Sequence, residues 1–219
     1  MKPREIFLNA CKDIEAILLP MGYKFVKSEH ALIRKTKDFI FEIDFWSSGS
    51  NKEGRVMMEA KCLILDRNSK CKECLFGDNL GYLSDDNFMD WNLCGETEYQ
   101  TVIKDIVNRI KTFFIPLTER FINDLPQLVE DVVNVGFYPN RPVHPYGSHY
   151  VITMSFLEKY ATKKQLDTAI RKYIDLMNDV AKKNFQYNLS LYNEGKDIKN
   201  RVFLPYIEAI VKNSLEIGQ

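Results

Sequence analysis

The chain has 219 residues, of which 45% are apolar and 27% charged, the composition of a folded globular protein rather than a disordered or fibrous one. Thirty basic side chains balance thirty acidic ones, so overall charge provides no drive toward nucleic acid or an anionic membrane surface. No apolar run approaches the ~20 residues that span a bilayer, and MKPREIFLNACKDIEAILLP lacks the apolar core and cleavage site of a signal peptide. Five cysteines without an export signal are expected to be reduced thiols of a cytoplasmic protein.

In chain order, Ile6, Phe7, Ala10, Cys11, Ile14, Ile17 and Leu18 recur at helical spacing, and Pro20 with Gly22 closes that helix over Met1–Leu19. Short strands follow at Tyr23–Val26 and Ala31–Lys35 around the turn Lys27-Ser28-Glu29-His30. Two longer strands, DFIFEIDFW (Asp38–Trp46) and RVMMEAKCLIL (Arg55–Leu65), alternate apolar and polar residues at period 2. One face carries Phe39, Phe41, Ile43 and Phe45 with Val56, Met58, Ala60, Cys62 and Ile64. The other carries Glu42, Asp44 and Trp46 with Met57, Glu59 and Lys61. The connections are too short for crossover helices, so the four strands read as an antiparallel meander with one oily face that helices must cover. For the apolar sets to share that face, paired residue numbers must sum to an odd value. A sum of about 103 would set Glu42 opposite Lys61 and Asp44 opposite Glu59.

Arg67–Trp91 is polar and turn-rich, and reads as a long loop or irregular lid. Thr97 and Gln100 form a capping box that opens a helix to Ile115. Tyr99, Val102, Ile103, Ile106, Ile110, Phe113 and Phe114 lie on its inner stripe, and Lys104, Asp105, Asn108, Arg109 and Lys111 face out. Beyond Pro116 the pattern is helical: Leu125–Val135, then an ambiguous Tyr150–Leu157. A long helix opened by a second box (Thr162, Gln165) has Leu166, Ile170, Tyr173, Ile174, Met177 and Val180 inward. A last helix runs through Tyr206, Ile207, Ile210, Val211 and Leu215. The expected fold is α+β: a four-stranded antiparallel meander domain over residues 1–121, covered by helices, then a mainly helical region over 122–219. The Pro-rich stretch near 138–146 is the other candidate boundary.

Three constellations bear on chemistry. Asp44 with Glu59-x-Lys61 matches metal-dependent nucleases of the Asp…Glu-x-Lys type, in which carboxylates hold Mg²⁺ and a lysine orients water. The same residues also suit ordinary cross-strand ion pairs. Cys71-x-x-Cys74, with Cys62 and Cys94 elsewhere, is a single short-spaced pair and reads as loop thiols rather than a zinc site. Basic residues beside aromatics at Arg171-Lys172-Tyr173 and Lys182-Lys183-Asn184-Phe185 read as solvated helix faces. His30, His144 and His149 sit in turns without ligand spacing, and no phosphate loop or nucleophile elbow is present in the sequence. If the second sheet face is only partly covered, Trp46, Met57 and Trp91 form an apolar patch there rimmed by Glu42, Asp44, Glu59 and Lys61; the equal alternative is that the acidic-loop segment or the C-terminal helices fold over them.

LLPMGYKFVK (Leu18–Lys27), FIFEIDFWSS (Phe39–Ser48) and Trp91 ahead of a helix running into FFIPLTERF (Phe113–Phe121) resemble a bacterial domain-of-unknown-function family, family 4304. The resemblance covers roughly Phe7 to Phe121. It implies an α+β domain with a meander and brings no catalytic residues with it. The expected function is a non-catalytic binding module for a protein partner, using Trp46, Met57, Trp91 and the Arg67–Trp91 segment, without a cofactor. The alternative is the Mg²⁺-dependent nuclease built on Asp44, Glu59 and Lys61.

Overall fold

The computed structural model describes residues 1–85, 87–95, 97–135 and 154–215. The Pro-rich stretch 138–146, His144, His149 and residues 150–153 lie outside them. The protein is α+β, and its chain divides into two compact units, Met1–Asn123 and Asp124–Gln219.

The first unit opens with helix α1 (Pro3–Leu18), whose first turn is tied by the Glu5 carboxylate accepting the Lys2 N–H at 2.9 Å. Phe7, Ala10, Cys11, Ile14 and Leu18 are buried. A 3₁₀ turn, Leu19–Met21, stops at Gly22, whose φ of +87° is the left-handed conformation glycine adopts without a Cβ penalty. The strands β1 (Lys24–Val26), β2 (Ala31–Lys35), β3 (Phe39–Ser47), β4 (Met57–Asp66) and β5 (Cys74–Asn79) form an antiparallel meander in chain order. A short strand β6 (Trp91–Asn92) pairs with the start of β4. The meander therefore runs beyond the four expected strands, and much of Arg67–Trp91 is sheet and helix α2 (Leu80–Asp85) rather than loop. Leu75, Phe76 and Leu80 are buried there. This apolar run is too short for periodicity to reveal.

The β3–β4 pairing has the expected odd parity, with a sum of 105 rather than 103: Ile43 faces Cys62, Asp44 faces Lys61 and Trp46 faces Glu59. Turn chemistry sets that step. The Asn51 side chain accepts from the Met57 N–H (2.8 Å) and donates to the Met57 carbonyl (3.1 Å) and the Ser47 hydroxyl (2.9 Å). Lys52 and Arg55 close the tip. Asn51 thus occupies a place in the hairpin that simple alternation would give to a paired residue.

Helix α3 (Tyr99–Arg109) passes through a π-helical turn, Ile110–Phe114, into α4 (Ile115–Asn123). Pro116 lacks an N–H, so the ladder beside it cannot be a regular α one, and Ile115 N–H bonds to the Ile110 carbonyl instead. Phe114 is buried and stacks on Phe76 at 6.2 Å. Phe113, expected on the same stripe, stands out to solvent because the π turn rotates the following residues. The expected Thr97 capping box is absent: Glu98 is the N-cap and makes no side-chain cap. Instead the Tyr99 hydroxyl donates to Asp13 on α1 at 2.7 Å, a tertiary tie at the helix entrance.

The second unit contains α5 (Leu125–Val135), α6 (Met154–Tyr160), α7 (Lys163–Asp175), α8 (Asp179–Asn193), a 3₁₀ turn (Arg201–Phe203) and α9 (Leu204–Lys212). Thr162 and Gln165 form the expected capping box on α7. The long helix breaks, however, at Leu176–Asn178. Asn178 caps α8 by accepting from the Ala181 N–H at 2.9 Å, and Val180 lies 77% exposed rather than inward. Val211 is also exposed. Tyr173 stacks on Tyr206 at 3.9 Å, nearly parallel, and Phe185 meets Phe203 edge-on. The Lys172 ammonium caps the C-terminal carbonyls of α5 at Val133 (3.0 Å) and Asn134 (3.1 Å), a structural use for a residue of the basic cluster.

Candidate functional site: the open face of the sheet

Alternate side chains along β3 enter two different environments. Phe39, Phe41, Ile43 and Phe45 are buried with Met58, Ala60, Cys62 and Ile64 of β4, and the helices of the first unit lie on this side. Phe39 packs edge-on against Phe121 of α4 at 5.4 Å, and Arg34 on the same face reaches Glu119 of α4 at 2.7 Å.

The other face grades from apolar to polar. Ala31, Ile33 and Ile40 form a small buried cluster with Val26 and Leu65 against it. Further along β3, Glu42 and Asp44 are half-buried, and Trp46 is 60% exposed. Met57, Glu59 and Leu63 are half-buried beside them, and Lys61 is exposed. Trp46 is not loose. Its indole N–H donates to Asp44 Oδ2 at 2.7 Å, two residues back on the same strand face, which holds the ring over the sheet. Burial, reinforced by the nearby charges of Asp44 and Glu29 and opposed by Lys72, raises the Glu42 carboxyl above its ordinary range. Cys74 is likewise raised, chiefly by burial, while Lys61 acts in the opposite direction.

Trp91 does not belong to this face. In β6 it pairs with Met58, which gives it the covered parity, and it is 7% exposed. Its indole donates to Asp105 Oδ2 of α3 at 2.8 Å. Asp105 in turn accepts from Arg109 Nε at 3.0 and 3.1 Å, and Arg109 reaches Ser84 Oγ at 2.7 Å and Asp85. Asp105 and Arg109, expected to face solvent, are the centre of a clip that holds α2 and β6 to α3. Spacing along one helix places them outward. Only the folding of residues 80–92 onto the sheet brings their partners within reach.

The alternative constellation is partly assembled. Asp44, Glu59 and Lys61 share the open face, with Asp44 directly across from Lys61 and Glu59 across from Trp46, so the two carboxylates are diagonal neighbours. One Asp44 oxygen is already committed to Trp46. Glu15, which sits on the helix preceding these strands, is spent elsewhere: its Oε1 accepts the Phe25 N–H of the edge strand β1 at 2.8 Å. Among the described residues no three His, Cys, Asp or Glu side chains are grouped to hold a metal ion. The cysteines are dispersed: Cys11 and Cys62 are buried in the interior, Cys71 is exposed, and Cys74 donates to the Phe76 carbonyl at 3.1 Å. His30 packs edge-on against Phe7 at 5.5 Å.

No described helix is long and apolar enough to cross a membrane. Comparison of the chain with protein-family models, with curated proteins and with solved structures finds no match.

Proposed function

We propose that this chain is a non-catalytic binding module of the cytoplasm, and that a protein partner docks on the open sheet face around Trp46. The observation that carries this reading is a tryptophan left 60% exposed on a regular strand and braced by Asp44. Tryptophan is the side chain most enriched in binding hot spots, and one already fixed in orientation loses little freedom on docking. Met57 extends the apolar surface, and Glu59 and Lys61 form a charged rim that would orient a partner. Trp91 contributes only indirectly, by holding β6 against β4.

Affinity capture with the wild-type chain, compared with Trp46→Ala and Lys61→Glu, tests this. A specific partner is expected to be lost with Trp46→Ala while circular dichroism and Tm stay those of the wild type. Retention of every wild-type partner by a folded Trp46→Ala protein would refute the reading.

The second reading, a Mg²⁺-dependent nuclease, is favoured by one observation: Asp44, Glu59 and Lys61 share a face on adjacent strands. Under it, Asp44 and Glu59 would hold the ion and Lys61 would orient the attacking water. Mg²⁺-dependent cleavage of DNA or RNA that disappears in Lys61→Ala is its expected signature. Absence of cleavage across divalent metals would remove it.

A further inference from the structure

On the helical side of the first unit, away from the open sheet face, lies a cavity of about 410 Å³. This falls within the size range of small-molecule sites. Its walls come from three segments. Ile6, Asn9 and Asp13 recur at i, i+3 and i+7 and so share one face of α1. Leu93, only 3% exposed, supplies an apolar wall. Its turn is pinned by the Leu93 N–H to the Val56 carbonyl (2.8 Å), and by Asn92 Oδ1, which accepts from the N–H groups of Val56 (3.0 Å) and Cys94 (3.1 Å). The third segment is the start of α3, where the Tyr99 hydroxyl is bonded to Asp13 Oδ2.

The chemistry of these walls is divided. Ile6 and Leu93 are apolar. Asp13 is engaged by the Tyr99 phenol, which burial and the Asp13 charge keep protonated, so that carboxylate oxygen already has its donor. Lys12, at the rim, makes no ion pair among the described residues. The Asn9 amide beside it donates to the Met1 thioether at 3.3 Å. Lys12 is thus the cation of this lining and Asp13, bonded to Tyr99, its anion, so an acid group fits at Lys12 with an apolar body against Ile6 and Leu93.

We propose that this cavity binds a small amphipathic carboxylate, its acid group on the Lys12 ammonium and its hydrocarbon body between Ile6 and Leu93. The site is independent of the open-face reading, and either can fail without the other.

Octanoate serves as the probe, titrated calorimetrically into the full chain. Saturable 1:1 binding is expected, weakened about tenfold by Ile6→Trp, which fills the space, and about fivefold by Lys12→Gln, with loss of its salt dependence. Octanol, with the same body and no charge, is expected to bind the wild type as weakly as octanoate binds Lys12→Gln. A second readout locates the ligand: in a Cys71→Ser background, octanoate should slow N-ethylmaleimide modification of Cys94, which lines the same cavity. Lack of saturable binding, unchanged affinity in a folded Ile6→Trp protein, octanol binding as tight as octanoate, or an unprotected Cys94 would each overturn the proposal. Should Ile6→Trp fail to fold, the Cys94 protection measurement decides.

Discussion

The two faces of the central sheet are made by the same strands, yet they belong to different kinds of surface. Along β3, Phe41, Ile43 and Phe45 are sealed beneath helices, while Glu42, Asp44 and Trp46, each one residue away, lie half-buried or exposed. The odd-numbered residues of β3 therefore belong to the covered core, while the even-numbered ones grade from buried Ile40 to exposed Trp46, on which the proposed docking rests. The two tryptophans make the same contrast: Trp91 is a structural post bonded to Asp105, and Trp46 is a braced but wet ring.

The largest expected effect is on the covered face. Phe41→Ala should cost about 3–5 kcal/mol in urea denaturation, because a fully buried ring leaves a cavity behind. A cost below about 1 kcal/mol would mean the covered face is not the core.

Next is the clip. Arg109→Ala removes the partner shared by Ser84, Asp85 and Asp105, and should cost about 1–3 kcal/mol. Hydrogen exchange should show faster opening confined first to residues 80–92. Uniform loosening of the whole sheet would break the distinction between the clip and the core.

On the open face, Trp46→Ala should change stability by no more than about 0.5 kcal/mol while abolishing partner capture. A large loss of stability would show that Trp46 is core in solution.

The smallest effect concerns Glu42. Burial and the neighbouring Asp44 and Glu29 raise its pKa in the folded protein. The folded state therefore holds this proton more tightly than the unfolded chain does. Stability falls as pH rises from the ordinary carboxylate value of about 4.3 through the raised one, and the penalty is complete above it. Glu42→Gln should raise Tm by about 1 °C at pH 7–8, with the gain shrinking as pH falls toward 4. A gain that grows on acidification would reverse the sign and refute the assignment.

Much of the fold was legible because the signals were periodic. Alternation from Phe39 and from Val56 identified both long strands, their shared buried face and the odd pairing parity. The helical stripe of α1, apart from Ile17, which stands exposed, and the Thr162–Gln165 box were equally readable. Errors came where one residue type could serve two environments. Trp91 was placed with Trp46 because both are large and apolar, but the parity of β6 is visible only once that strand is paired. Val180 fitted a helical stripe until Asn178 ended one helix and capped the next, a signal present in the sequence and outweighed there by periodicity. Of the candidate site, Trp46, Met57, Glu59 and Lys61 do share a face as expected, whereas the covering of Trp91 and the use of Arg67–Trp91 as sheet and helix were hidden in short, non-periodic runs.

Local chemistry by itself determined which residues alternate, where helices begin at Thr162 and end near Gly22, and that one sheet face had to be covered, since these follow from backbone periods and nearest-neighbour hydrogen bonds. Tertiary structure alone decided the covering of Trp91, the clip around Arg109 and the cavity beside Lys12. Each of these joins groups distant in sequence or depends on how a segment meets its neighbours. No period within one segment encodes such a meeting.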